Sequence, residues 1–491
     1  MQKRVLAGLE PEPVYRYFEE ICSIPHGSGN TGAICGYLEA FADRHGLRCK
    51  RDASDNIIIW KDGSSGFSDA PPVILQGHLD MVCEKAPDCP IDMEREGLHL
   101  VCEGGFIRAE GTTLGGDDGI AVAYALAILE ADDIVHPPLE VVLTSDEEIG
   151  MLGASALDAG ALKARTMLNL DSEEEGYLLV SCAGGASVTA RLPVSRENVS
   201  GAKLNLKLTG LLGGHSGVEI DKGRANACQA LGRVLYSLYQ HAPFRLVCAE
   251  GGQKDNAIPR EAEASLIVGQ KTDIAILSEQ VQLLQDTLRD EYKTVDGGIS
   301  LQINQGEYTE YPAMTAESSR RVICALCGLP NGVERMSSDT PGLVQTSLNL
   351  GILTTSEDSV SLCYSVRSSV ESEKHALVER LQCLTGALYG STEISGDYPA
   401  WEYRENSPLR RLMSRIYAER YKKEPVIQSI HAGVECGLFA GKLPGLDCVS
   451  FGPDILDIHT PNESLGIESV KRTWEYLLEI LRRLAEKGNG D

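Results

Sequence analysis

Residues 73–82, VILQGHLDMV, place a histidine and an aspartate two positions apart directly after an apolar run. Pro71 and Pro72 precede a short stretch of β-branched and aliphatic residues, the pattern of a buried strand in a mostly parallel sheet. In an extended chain residues i and i+2 point to one face, so His78 and Asp80 emerge together where the apolar run stops. Alone, such a pair is as readily a polar strand end meeting solvent. Its meaning depends on what the rest of the chain brings to that histidine.

Moving outward, the amino-terminal third alternates helix and strand patterns. Helices are expected near 12–22, 31–45 and 119–131, and strands near 47–52, 56–60, 73–78, 138–145 and 166–171. That alternation is the signature of an α/β sheet covered by helices on both faces. From about residue 184 the texture changes to polar–apolar alternation, as in half-exposed antiparallel strands, interleaved with helices at 224–240 and 274–293. The α/β texture returns near 405 and closes in an amphipathic helix over 468–488. The expected organisation is therefore one catalytic domain split over 1–185 and 402–491, interrupted by a separate α+β domain over 186–401.

The chain has 491 residues, room for two or three domains. Its 71 acidic residues against 45 basic ones give a formal charge of −26, which argues against nucleic acid or anionic membranes as partners. No segment reads as a signal peptide or membrane span, so a cytoplasmic location is expected. The 15 cysteines are scattered and odd in number, with one close pair, Cys324 and Cys327, inside a helix-like stretch; free thiols fit this usage better than a zinc or disulfide framework.

Four further positions resemble His78 in their setting. LGGDDG puts Asp117 and Asp118 in a glycine-rich turn before a helix, where Asp also serves as an N-cap. LTSDEEIG ends a buried strand at Glu147 and Glu148, LNLDSE ends another at Asp171, and DILDIHTPNE sets His459 before the last helix. Each alone is more readily structural. Together they gather two imidazoles and several carboxylates at the edge where α/β sheets place their ligands, a donor set that suits Zn²⁺, with Mn²⁺ or Co²⁺ as substitutes.

The motifs GHLDMV, TLGGDDGIAVA, TSDEEIGMLGA, LNLDSEEEG, GLLGGHSG, NAIPR, SIHAGVECGLFAGKLPGLDCVSFGP and DIHTPNE resemble, in this order, the di-zinc metallopeptidase clan of carnosinases, aminoacylases and glutamate carboxypeptidases, and within it the aminoacyl-histidine dipeptidase branch. The resemblance spans essentially the whole chain. It implies two zinc ions per subunit: one held by His78, Asp117 and Asp171, the other by Asp117, Glu148 and His459. Asp118 is the alternative to Asp117 as the bridge, and a cis peptide is implied after Asp117. Asp80 would hydrogen-bond the His78 imidazole and fix its tautomer, and Glu147 would be the general base. The resemblance further implies a lid histidine, His215, on the substrate oxyanion. Asn256 and Arg367 would hold the substrate's terminal carboxylate, Gly433 would make a backbone contact, and the assembly would be a homodimer.

The implied activity is hydrolysis of small peptides: dipeptides, Xaa-His and broader Xaa-Yaa. The rival within the clan is a tripeptidase or N-acyl amino-acid amidohydrolase. Outside enzymes, a catalytically silent metal or peptide binder would need neither Asp80 nor Glu147. GGHSG is no nucleophile elbow, because G-x-S-x-G would require glycine where Val218 stands. Cys182 has no evident His–Asn partnership, and no phosphate-binding loop occurs.

Overall fold

A computed structural model describes residues 4–338 and 340–487, so residues 1–3 of the amino-terminal stretch and Gly488 of the expected closing helix lie outside the described residues. The chain forms two compact units. The first comprises 1–182, 403–429 and 434–491; the second comprises 183–402 and the short stretch 430–433.

The first unit is built on an eight-stranded sheet whose inner strands, Leu139–Thr144, Val73–His78, Thr166–Asn169 and Asp447–Ser450, lie side by side and run parallel. Val73–His78 and Leu139–Thr144 are buried along their whole length, which is why both read as continuous apolar runs rather than alternating ones. Antiparallel strands Arg48–Arg51 and Ile57–Lys61 extend one side of it. The helix Gly116–Glu130 is apolar all round and buried through Leu129, as expected of a helix enclosed by its own domain. The closing helix Ile467–Lys487 turns Val470, Leu477, Ile480 and Leu481 inward and stacks Trp474 on Tyr124 with ring centroids 5.9 Å apart.

A four-stranded sheet of Leu100–Glu103, Phe106–Ala109, Ile455–Leu456 and Ser464–Gly466 also belongs to this unit. Its two-to-four-residue strands are too short to leave a periodic signal. The loop bearing His459 is thereby held at both ends, between Ile455–Leu456 and Ser464–Gly466.

The second unit carries a nine-stranded sheet with antiparallel pairings, including the long strands Arg196–Thr209 and Ser300–Met314. Gly184–Pro193 shows the expected inside–outside alternation. Helices Ala227–His241, Ile274–Glu291, Ala316–Gly328 and Glu371–Ala387 complete it. Cys324 and Cys327 lie exposed on the third of these, and no disulfide joins any of the 15 cysteines among the described residues. Among the described residues, no helix is long and apolar enough to cross a membrane.

Candidate metal centre

Parallel pairing decides which side chains meet. His78 is in register with Thr144, and Gln76 with Asn169. The three chains therefore leave the sheet at one edge, delivering His78, then Glu147 and Glu148 just past Thr144, and Asp171 two residues past Asn169. Asp117 reaches the same place from the start of Gly116–Glu130, where Asp117 and Asp118 depart from helical geometry and are joined by a cis peptide. His459 arrives from its loop with a left-handed φ of 59°.

The contacts resolve into two clusters sharing one residue. His78 Nε2 stands 3.0 Å from Asp117 Oδ1 and 3.6 Å from Asp171 Oδ1. His459 Nε2 stands 2.9 Å from Glu148 Oε1 and 3.4 Å from Asp117 Oδ2. The Asp117 carboxylate thus turns one oxygen to each imidazole. Asp118, beside it, accepts the backbone N–H of His78 through Oδ2 at 3.1 Å, although it also lies within 4.8 Å of His78 and Asp171. Glu147 comes within the same range of His78 and Glu148.

This donor set fits divalent cations. Two ligand atoms each ~2.1 Å from a tetrahedral ion stand about 3.4 Å apart, close to the separations observed. Five carboxylates converge here, and among the described residues no lysine or arginine pairs with any of them. Burial pushes the carboxyls of Asp118 and Glu147 well above the usual range and that of Asp171 to about 6. Asp117 and Glu148 hold the His459 imidazole up at about 10, and His78 is raised because Asp171 and Asp117 outweigh its burial. Protons are thus drawn to positions that bound cations would otherwise neutralise.

Asp80 differs in detail from expectation. His78 Nδ1 lies 2.9 Å from the backbone oxygen of Asp80, whereas the Asp80 carboxylate stays 3.7 Å away. That carboxylate instead accepts the backbone N–H groups of Glu147 at 2.9 Å and Glu148 at 3.3 Å, and the Ser28 hydroxyl at 2.7 Å. The chain bends at Leu79, just before Asp80, whose carbonyl reaches the imidazole while its side chain secures the neighbouring Glu pair.

Two buried carboxyls went unrecognised in the sequence. Glu463, 3% exposed, accepts the backbone N–H groups of Leu114 at 2.7 Å, Gly115 at 3.1 Å, Gly116 at 2.8 Å and Asp117 at 3.3 Å, clamping the turn that presents Asp117. Glu435, fully buried, accepts from Thr144 Oγ1 at 2.6 Å and Gln76 Nε2 at 2.5 Å, and its carboxyl is pushed up to about 8 by burial. The only sequence signal for Glu463 is its place four residues after His459, behind Pro461-Asn462 in DIHTPNE; nothing local marks Glu435.

The remaining expected residues lie in the second unit. His215 belongs to a two-residue strand paired with Ala257–Ile258. Its Nδ1 accepts the backbone N–H groups of Gly217 at 3.1 Å and Val218 at 3.2 Å, so Nε2 carries the proton as a fixed donor. Asn256 is exposed, and its carbonyl accepts the Ser216 N–H at 2.9 Å. His215 and Asn256 both line a 930 Å³ cavity of this unit, with Arg260, Glu219 and Lys254. Arg367 is 9% exposed and donates to the Tyr398 hydroxyl at 3.1 Å. Gly433 lies so close to Tyr398 that a Cβ would stand 2.6 Å from its ring.

The sequence pattern of peptidase family M20/M25/M40 matches residues 74–483. The cytosol non-specific dipeptidase of Escherichia coli K12 is 39% identical over 484 residues, 98% of this chain and 99% of the relative. The crystal structure of aminoacylhistidine dipeptidase from Vibrio alginolyticus superposes with a TM-score of 0.89 at 36% identity, covering 97% of this chain and 98% of that one. Aminopeptidase PepT from Bacillus cereus shares the fold at a TM-score of 0.56 and 16% identity, covering 97% and 99%.

Proposed function

The chain belongs to peptidase family M20/M25/M40, and from that premise we propose that it is a metal-dependent dipeptidase, acting on Xaa-His and broader Xaa-Yaa dipeptides. The observation that carries the proposal is the paired cluster centred on Asp117, whose two oxygens face His78 and His459. The full-length likeness to a dipeptidase of Escherichia coli supports the substrate class.

On this reading His78, Asp117 and Asp171 hold one zinc ion, and Asp117, Glu148 and His459 a second, with Mn²⁺ or Co²⁺ able to substitute. Bound there, the cations supply the acidity that makes water a nucleophile near neutral pH and polarise the scissile carbonyl. Glu147 is not needed as a ligand. Its carboxyl, raised by burial, takes a proton from the attacking water and returns it to the leaving amine. Asp80 fixes the backbone of Glu147 and Glu148 together, so the base and the ligand keep a constant separation.

The first unit is the catalytic domain in this account and the second the lid and dimerisation domain of a cytoplasmic homodimer. His215 offers a fixed Nε2–H to the oxyanion, Asn256 and Arg367 hold the substrate, and Gly433 contacts it through its backbone. The test is hydrolysis of Gly-His, β-Ala-His, Leu-Gly, a tripeptide and an N-acetyl amino acid, with zinc and with chelator. Cleavage confined to dipeptides and abolished by chelator is expected. Turnover of only the tripeptide or acetylated substrate would instead place the chain elsewhere in the family.

A further inference from the structure

One row of residues crosses four strands of the second unit. Ser347 is in register with Arg367, Arg367 with Gly185, and Gly185 with Tyr398. Laterally paired residues project to the same face of a sheet, so these four share one side. Gly185 is required there: a Cβ would stand 2.5 Å from the Tyr398 hydroxyl, which reaches over it to Arg367 Nη1. On that face Ser347 Oγ meets Nε2 of His431 at 2.7 Å. His431 comes from 430–433, the stretch tied to this unit by the Ala183 N–H, which reaches the carbonyls of Ile430 at 3.2 Å and Ala432 at 3.1 Å.

The bonding around this row is incomplete in a directed way. Arg367 is 9% exposed, yet among the described residues no carboxylate pairs with it and its Nε–H has no acceptor. His431 is 4% exposed, and its Nδ1 also has no partner. Ser347 Oγ has no other hydrogen-bond partner among the described residues, so its proton is satisfied only when the hydroxyl donates to His431 Nε2. The imidazole's own proton therefore sits on Nδ1, as a second unsatisfied donor. Burial and the nearby Arg367 push the His431 imidazole down to about 3, so the ring stays neutral and keeps this tautomer at ordinary pH. A buried guanidinium whose Nε–H lacks an acceptor and a buried neutral N–H donor that also lacks one are complementary to one anion with two oxygens.

We propose that His431 and Arg367 form a single carboxylate receptor, in which the His431 Nδ1–H donates beside the guanidinium and Ser347 fixes the tautomer. Identifying that carboxylate as the C-terminal one of the substrate rests on the dipeptidase reading; the receptor itself does not. His431 would then be a specificity determinant that separates free dipeptides from their amides.

The test uses the full-length, zinc-loaded enzyme with Gly-His and Gly-His amide. His431→Ala should lower the ratio of kcat/KM for acid over amide by about tenfold or more, the worth of one hydrogen bond to a charged group. Ser347→Ala should lower it by a few-fold, and His431→Gln, which restores an N–H, should recover part of the loss. Acid and amide falling by the same factor would overturn the proposal. Independently, ¹⁵N NMR of the wild type should show His431 neutral with its proton on Nδ1, and acetate should shift that resonance. An Nε2–H tautomer, or no response to acetate, would also overturn it. If the wild type failed to cleave Gly-His while acetate still shifted Nδ1, the dipeptidase reading would fall and the receptor would stand.

Discussion

The Asp80 carboxylate accepts the backbone N–H of Glu147 at 2.9 Å and lies 3.7 Å from the His78 imidazole, so it holds the Glu147 backbone more closely than it holds His78. His78 takes its orientation from the Asp80 carbonyl instead, which no side-chain substitution removes. Asp80→Ala should therefore lower kcat by about 10–100-fold while leaving zinc content nearly intact. Asp80→Asn, which keeps one acceptor oxygen, should lose less. Steady-state kinetics with metal analysis of the same samples decides it; loss of zinc in parallel with kcat would assign Asp80 to the metal instead.

The proposed mechanism gives the neighbours Glu147 and Glu148 different duties. Glu147→Gln should reduce turnover by about 10²–10⁴-fold with both metals retained, the usual worth of a general base. Glu148→Gln should lose metal and activity together, because its carboxylate faces His459 at 2.9 Å. Calorimetric zinc titration of the two variants separates the roles.

The Glu463 carboxylate satisfies four backbone N–H groups of the turn that carries Asp117. Glu463→Ala leaves them buried without an acceptor and should destabilise the first unit by ~2–4 kcal/mol. Zinc affinity should fall as well, since Asp117 serves both clusters. Glu463→Gln should show a smaller effect on both. Urea unfolding and zinc titration provide the measurements.

Glu435 gives the metal-free protein a pH dependence of known sign. Its carboxyl is held up at about 8 by burial, against about 4.5 when unfolded, so the folded state binds the proton more tightly. Its contribution to stability is complete below pH 4.5 and is lost as pH rises through 8. Glu435→Gln mimics the neutral form and should flatten the fall in melting temperature between pH 5 and 8; an unchanged slope would show that Glu435 is ionised when folded.

The sheet and the cluster around Asp117 were legible because both depend on local patterns. Continuous apolar runs mark the fully buried strands, and carboxylates or His78 follow each run directly. What stayed hidden depends on contacts distant in sequence. Glu463 lies 346 positions from Asp117, and Glu435 lies 291 from Thr144. The pairing of His431 with Ser347 exists only because 430–433 joins a unit formed mainly by 183–402. The detail at Asp80 escaped for another reason: side-chain alternation places His78 and Asp80 on one face but does not say whether carbonyl or carboxylate reaches the imidazole.

The most direct test of the account is reconstitution of the metal-stripped protein with measured increments of zinc, following Gly-His hydrolysis and bound metal together. No hydrolysis is expected without metal, and full activity as occupancy approaches two ions per chain. Asp117→Asn, by disabling both clusters at once, should bind neither ion tightly and should not recover. Undiminished hydrolysis in the stripped protein, or full activity in Asp117→Asn, would contradict the metal-dependent mechanism.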